Sequence, residues 1–192
     1  MMTRAPRRTE IVEAARTAFR SFGLADTTLE MVAVAAGLPR PHLYRYFRDK
    51  SDLVSAVVAV ETAEINERRR ALVAAERTFA DKVVRALQLA VEIVHGDPFW
   101  STLAAPGNVP YTAYAATRDP ALVASNAQFW LPIFDDGLAS GELRPELDRN
   151  ELLTWLLGLQ FLFLERREIF PDACAVGHYA RTFVVPALVR AA

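Results

Sequence analysis

The feature that most constrains the fold is a glycine turn between two short helical segments in residues 29–53. The first segment has an apolar face with helical spacing, formed by Met31, Val32, Ala35 and Ala36. Gly37 follows this face, at the position where a helix C-cap favours a positive φ. Pro39 and Pro41 suit the first turn of a second helix, because the N–H groups of that turn have no partners inside the helix. The pattern predicts two helices joined by a tight turn.

The second segment combines two inward positions with a basic and aromatic surface. Leu43 and Phe47 lie four residues apart and are expected to point inward. The remaining positions are unusually rich in cationic and aromatic groups, namely Arg40, His42, Tyr44, Arg45, Tyr46 and Arg48. Two short helices joined by a glycine turn, the second of them basic, are typical of the helix-turn-helix that enters a DNA major groove.

The N-terminal quarter of the chain resembles the TetR family of bacterial transcriptional regulators. The first helix of that family is matched by residues 11–23, with Ala14-Ala15 and Phe19. The motif residues that follow are Thr27-Thr28, Val32-Ala33, Ala36-Gly37-Leu38, Leu43-Tyr44, Tyr46-Phe47, Lys50 and Leu53. Pro39 stands where the family usually has serine, so the side-chain cap of the second helix is expected to be lost. The match covers roughly residues 8–55.

Specific residues are predicted to contact double-stranded DNA. Arg40, Pro41 and His42 would face base edges, because arginine grips guanine with two hydrogen bonds and a proline ring suits a thymine methyl. The resemblance implies phosphate contacts from Thr28, Tyr44, Tyr46 and Lys50, and Arg45 is a further candidate. The alternative is a solvated charged face with Tyr44 packed between helices. Arg4, Arg7 and Arg8 are expected to form either a minor-groove arm or a disordered tail.

Charge and composition agree with a DNA-binding N-terminus. The net charge of −1 conceals nine Arg and Lys against five Asp and Glu in residues 1–50, and phosphate contacts dominate nucleic-acid affinity. No uncharged apolar run approaches the length of a membrane span, and Cys174 has no second cysteine to pair with. We therefore expect a soluble cytoplasmic protein in which Cys174 is a small packing residue.

The rest of the chain shows helical patterns and no alternating strand pattern, which predicts an all-α fold of about nine helices. We expect a three-helix helix-turn-helix domain over residues 1–50 and an effector-binding and dimerisation domain over residues 51–192. The fourth helix, which starts near Asp49, would link the two domains.

A second copy of the chain is the expected partner of residues 152–164, which are apolar on every face. A helix that is hydrophobic all round is buried, and a chain this small provides only part of that burial itself. The resemblance implies a homodimer in which the last two helices of each copy form a four-helix bundle. The residues expected at this interface are Leu152, Trp155, Leu159, Phe163, Tyr179 and Phe183.

The resemblance also implies a small-molecule effector between the helices of the second domain. An apolar pocket with a few aimed polar groups suits a small hydrophobic ligand. Aromatic side chains dominate the candidate lining, which is Gln88, His95, Trp100, Tyr111, Tyr114, Asn126, Phe129, Trp130 and Trp155. Each could equally serve core packing, and together they favour a flat or hydrophobic effector.

The sequence gives little support for catalysis, a metal or a cofactor, because its three histidines are scattered and no nucleotide-binding fingerprint is present. The prediction is a ligand-responsive regulator, more specifically a repressor, on a pseudo-palindromic operator. Two alternatives remain: a DNA-binding protein without an effector, and an all-α ligand-binding protein that does not bind DNA.

Overall fold

The structure, a computed structural model, describes the backbone of residues 4–103 and 120–190 and the side chains of residues 7–100 and 120–190. The regular elements in these ranges are helices, which confirms the predicted all-α class. One isolated antiparallel bridge joins Leu143 and Val189. None of the described helices is long and apolar enough to cross a bilayer.

The helices are numbered along the chain. They are α1 (Arg4–Phe22), α2 (Leu29–Ala35), α3 (Arg40–Leu43), α4 (Lys50–Val73), α5 (Phe79–Gly96), α6 (Pro98–Leu103), α7 (Pro120–Ala139), α8 (Arg149–Glu165), α9 (Ala173–Tyr179) and α10 (Val185–Leu188). A π-helical segment, Ala180–Val184, connects α9 to α10.

The chain divides into two compact units between Glu61 and Thr62, inside α4. The first unit therefore contains the first three turns of α4 together with α1, α2 and α3. The functional division proposed after residue 50 stays a prediction. Apolar side chains of all four helices form the core of this unit: Ile11, Ala15, Phe19, Val32, Ala33, Leu43, Phe47, Leu53 and Val57.

Thr27 and Glu30 have the spacing of a capping box, in which Thr27 would cap the N–H of Glu30, but α2 is capped one residue later. Thr28 is the N-cap, and its hydroxyl accepts a hydrogen bond from the Met31 N–H at 3.2 Å. Thr27 is buried, and its hydroxyl donates to the carbonyls of Gly23 (2.7 Å) and Ala18 (3.2 Å) at the end of α1. Thr27 thus ties the end of α1 to the following loop, and Thr28 occupies the N-cap position of α2.

The second unit is built around α5, which contacts α6, α7, α8, α9, the π-helical segment and α10. Residues on most sides of α5 are buried, among them Val83, Leu87 and Val91. Thr78 caps α5 by accepting from the Asp81 N–H, and Asp148 and Asp172 cap α8 and α9 in the same way. Well-capped helices around one apolar centre account for the stability of this unit.

The helical pattern of residues 172–190 contains Pro186, which is expected to bend the helix or end it early, and the last helical stretch is interrupted near this residue. Pro186 lacks an N–H and its ring crowds the carbonyl four residues earlier, which disfavours a continuous α-helix. The chain widens into the π-helical segment just before this proline and ends its helix at Leu188. The Arg144 N–H then donates to the Leu188 carbonyl at 2.9 Å, which ties the chain end to the loop before α8.

Candidate nucleic-acid interface and effector core

The turn between α2 and α3 has the geometry that its glycine predicts. Gly37 has φ 63°, and its N–H donates to the Val34 carbonyl at 3.0 Å. The Leu38 N–H reaches back to the Ala33 carbonyl at 2.8 Å, which closes the end of α2. Pro39 precedes α3 in an extended conformation and makes no side-chain cap. This absence agrees with the predicted loss of the cap that the family's serine provides. The direction of α3 is thereby fixed by backbone contacts.

Two buried side chains anchor α3 and the turn after it. Leu43 and Phe47 have almost no exposed surface and lie in the core of the first unit. The predicted DNA-contacting residues face outward from these anchors: Arg40, Pro41, His42, Tyr44 and Arg45 are exposed, and Tyr46 is half-buried. The structure therefore leaves these side chains accessible, and their contact with DNA stays a prediction.

Arg40 is held against its own helix. Its guanidinium donates to the Tyr44 hydroxyl at 3.3 Å and lies 3.6 Å from the Glu30 carboxylate. These contacts are solvent-exposed and weak, so breaking them costs little energy. The main candidate for base recognition can therefore exchange Glu30 and Tyr44 for another partner.

Thr28 and Lys50 occupy the flanks of this surface. The Thr28 hydroxyl accepts the cap bond at α2, and its own proton remains available as a donor to phosphate. The Lys50 ammonium donates to the Ala25 carbonyl at 3.1 Å. An ammonium carries three donor hydrogens, so this bond leaves donors for a phosphate oxygen.

Several arginines of the N-terminal unit form contacts within that unit. Glu61 of α4 is only 1% exposed, and its carboxylate accepts from Arg16 (2.7 Å) and from Arg20 (2.8 and 2.9 Å). Arg8 lies over the Phe47 ring at 4.8 Å, and Arg7 pairs with Glu10. Arg7 and Arg8 belong to α1 and contact their own unit, so neither forms a disordered tail, and a minor-groove contact from them stays a prediction.

In the second unit, three of the predicted effector residues lie together. Asn126, Phe129 and Trp130 of α7 are buried around Arg69 of α4. The Arg69 guanidinium lies over the Phe129 ring at 4.1 Å and the Trp130 ring at 5.9 Å. Asn66 links the group, because it accepts from Arg69 at 2.9 Å and donates to the Asn126 side-chain oxygen at 3.3 Å. We call Asn66, Arg69, Asn126, Phe129, Trp130 and Gln160 the effector core.

Sequence reasoning missed Arg69, which is 1% exposed. It stands in the run Arg68-Arg69-Arg70, and such a run is typical of the solvated, charged end of a helix. Helical spacing carried the missing signal: Ile65 and Val73, four residues before and after Arg69, are both buried. An arginine on the buried stripe of α4 indicates a polar interior.

The other candidates for the effector site are spread over the unit or lie outside the described residues. Gln88 donates to the Ala173 carbonyl at 3.0 Å and so ties α5 to α9. His95 is half-buried near the end of α8, Trp100 is buried against Phe99, and Trp155 is 41% exposed. Tyr111 and Tyr114 fall outside the described ranges. Cys174 is exposed, so its expected packing role was wrong.

The residues expected at a dimer interface differ in accessibility. Leu152 and Phe163 are buried in the core of the unit, and Phe163 contacts the rings of Phe170 and Tyr179. Phe163 therefore offers no side-chain surface to a second copy, which corrects its assignment, whereas Leu152 lines a groove beside Trp155 with the small part of its surface that stays exposed. Trp155 and Phe183 are exposed, and Leu159 and Tyr179 are half-buried.

Comparison with known proteins gives concordant results. Residues 11–57 match the family described as bacterial regulatory proteins, tetR family. The HTH-type transcriptional repressor KstR2 of Mycolicibacterium smegmatis is 24% identical over 149 residues, which are 75% of this chain and 71% of that protein.

Solved structures share the fold along nearly the whole chain. The fatty acid degradation regulator FadR from Bacillus halodurans has a TM-score of 0.64 at 13% identity, with 96% of this chain and 97% of that chain covered. FadR from Bacillus subtilis, solved in complex with stearoyl-CoA, has a TM-score of 0.60 at 16% identity, with 94% and 97% covered. The helix-turn-helix of residues 29–53 therefore lies in a segment that matches the tetR family of bacterial regulatory proteins, and the whole chain shares its fold with the two solved FadR structures.

Proposed function

We propose that the protein is a ligand-responsive transcriptional repressor that binds a pseudo-palindromic DNA operator as a homodimer. The observation that carries the proposal is the surface of α3, where Leu43 and Phe47 anchor the helix and Arg40, Pro41 and His42 face solvent. Residues at the start of a recognition helix are the ones that reach base edges in the major groove. The repressor assignment is supported by the similarity to KstR2.

The homodimer is supported by an apolar surface on the last helices. Trp155, Gly158 and Leu162 lie on one exposed stripe of α8, and nothing comes within 4 Å of a Cβ built on Gly158. Trp155 also lines a groove of about 260 Å³ together with Ala187 and Leu188, which extends the surface to α10. Exposed large apolar residues of this kind are typical of a self-association surface. We place the two-fold axis here, with Trp155, Leu159, Leu162 and Phe183 as contacts.

Effector control is proposed to act through α4. This helix carries Glu61, bound to α1, and eight residues later Arg69, in the effector core. A ligand that changes the packing around Arg69 would displace the same helix that holds α1. The ligand shifts the equilibrium only by its preference for one state, so it must bind the DNA-free arrangement more tightly. A small hydrophobic effector is supported by Phe129 and Trp130 and by the stearoyl-CoA complex of the FadR neighbour.

Selection from a random duplex library with the full-length protein tests the proposal. We expect a two-fold-symmetric site with half-sites about one DNA turn (~34–36 Å) apart. In the Arg40→Ala variant, we expect a loss of about 1–3 kcal/mol in binding and relaxed preference at one position in each half-site. Arg77→Ala, at an exposed position of the second unit, is the control.

An unchanged preference in the Arg40→Ala variant would contradict the assignment of Arg40 as a base reader. Recovery of no specific duplex at low salt would overturn the proposed function. Specific binding that no hydrophobic ligand alters would instead support a regulator without a small-molecule effector.

A further inference from the structure

Arg69 is a buried cation without a counter-charge among the described residues. Its guanidinium donates to the Asn66 side chain at 2.9 Å, the Ala86 carbonyl at 2.8 Å and the Gln160 side chain at 3.3 Å. All three acceptors are neutral. Glu61, the other fully buried charge of α4, is instead neutralised by two arginines. The same helix therefore carries one compensated and one uncompensated buried charge.

Keeping such a charge in the interior is costly. A buried ion without an opposite charge loses its hydration and regains only part of that energy from neutral dipoles. Burial lowers the pKa of Arg69 to about 9, so the group still carries its charge at neutral pH. Leucine or methionine at this position would avoid the cost, which points to a role for the charge beyond packing.

The hydrogen-bonding groups left over around Arg69 are donors. The Nε of Arg69 and the indole Nε1 of Trp130 are both buried, and neither has a partner among the described residues. The Trp130 ring lies 5.9 Å from the guanidinium carbon. Buried donors are normally satisfied, so a pair of unsatisfied donors beside a positive charge indicates a missing acceptor that is anionic.

The size of the missing charge follows from the same residues. One guanidinium supplies a single positive charge, and no second cation accompanies it in the effector core. A monoanion would neutralise it, whereas a phosphate dianion would leave a buried negative charge. Phe129 and Trp130 place flat apolar surfaces beside the guanidinium. This combination fits a carboxylate carried on an apolar body.

We propose that Arg69 anchors the carboxylate of the effector, which is therefore a hydrophobic monocarboxylic acid. The carboxylate would accept from the free Nε of Arg69 and replace the long Gln160 contact. This inference rests on the proposed function, because it names the chemical class of the ligand that the effector core would take. It assigns to Arg69 the role of discriminating an acid from a neutral molecule of the same shape.

Calorimetric titration of the full-length protein without DNA tests this assignment. The probes are two acids, octanoate and 4-phenylbutyrate, each compared with its neutral amide. A charge-assisted hydrogen bond to a buried guanidinium should make at least one acid bind about tenfold or more tightly than its amide. Arg69→Met should remove this preference, Arg69→Lys should retain part of it, and Arg68→Met, exposed on the same helix, should leave it unchanged.

Two results would overturn the assignment: a wild-type protein that binds neither acid in preference to its amide, or an Arg69→Met variant that keeps the full preference. The wild-type comparison stands even where a variant fails to fold. Operator release is measured separately. If only neutral ligands release the operator, the proposed repressor function holds and the carboxylate anchor is rejected. If the protein prefers the acids but binds no DNA specifically, the carboxylate anchor holds and the repressor function is rejected.

Discussion

At the scale of single residues, the predictable positions are those whose role follows from local spacing. The exposure of Arg40 and His42 and the burial of Leu43 and Phe47 follow from helical periodicity around one turn. Thr27 and Thr28 show where such reasoning fails, because both are good N-caps and only the contact of Thr27 with α1 decides between them.

His95 is a residue whose environment makes stability depend on pH. Burial lowers its pKa, the positive charge of Arg167 lowers it further, and a hydrogen bond with the Leu164 backbone acts in the opposite direction. The folded protein therefore resists protonation of His95, while the unfolded chain takes up the proton near pH 6.5. The resulting contribution to stability is present above pH 6.5 and is lost as the pH falls from there towards the folded pKa.

We therefore expect the thermal midpoint of His95→Gln to depend less on pH between 7.5 and 5.5 than that of the wild type. Differential scanning calorimetry measures the two slopes. His178→Gln serves as the control, because His178 is an exposed residue on α9. Equal slopes for the wild type and His95→Gln would show that His95 does not contribute to the pH dependence.

At the scale of elements, the sequence predicts helix existence well and helix detail less well. Strong local signals mark several helix boundaries: α2 ends before Gly37, Thr78 caps α5, and α7 begins at Pro120. The π-helical segment before Pro186 was not predicted, since a proline can kink, end or widen a helix and packing selects among these outcomes. Arg69 was missed for a related reason: a charged residue on an apolar stripe is improbable until its polar neighbours are known.

The ion pairs of Glu61 with Arg16 and Arg20 join α4 to α1 within the N-terminal unit. Replacing Glu61 by glutamine leaves Arg16 and Arg20 without their counter-charge, which should destabilise the N-terminal unit by about 1–3 kcal/mol. We expect operator affinity to fall as well, because α3 packs on the unit that α1 helps to hold. Ligand binding in the second unit should stay unchanged.

Glu67→Gln on the exposed side of the same helix is the control, since the ion pair of Glu67 within the described part of the chain is with the exposed Arg70. Urea denaturation, operator titration and calorimetric ligand titration separate the three effects. A Glu61→Gln variant with wild-type operator affinity would show that these ion pairs do not support the DNA-binding surface.

At the scale of the whole molecule, the proposed two-fold assembly depends on apolar residues that the single chain leaves exposed. Phe183 is 60% exposed and contacts only the neighbouring ring of Tyr179 among the described aromatic residues. The uniform apolar pattern of residues 152–164 indicated burial but could not separate inward from outward positions. The structure separates them, because Leu156 and Phe163 lie in the core and Trp155 and Leu162 do not.

We expect the wild-type protein to sediment as two copies and Trp155→Glu or Phe183→Glu to sediment as one. Burying a carboxylate in an apolar interface is costly, so one substitution per copy should be sufficient. Leu72→Glu, an equally exposed apolar position on α4, should leave the assembly intact. Operator affinity should fall with dissociation, because two half-sites are then no longer bound together. A wild-type protein that sediments as a single copy would rule out the dimer.

Gly137 limits how α7 and α5 of the second unit can move against each other. A Cβ built on this residue of α7 would lie 2.5 Å from the ring of Phe79 on α5, so the aromatic ring occupies the space that any larger residue would need. The Phe79 ring packs directly against the backbone of Gly137, which blocks sliding of α7 along α5 but permits a small rotation about the contact. Ligand-driven motion in this pair should consequently be angular, with amplitudes that grow with distance from the pivot.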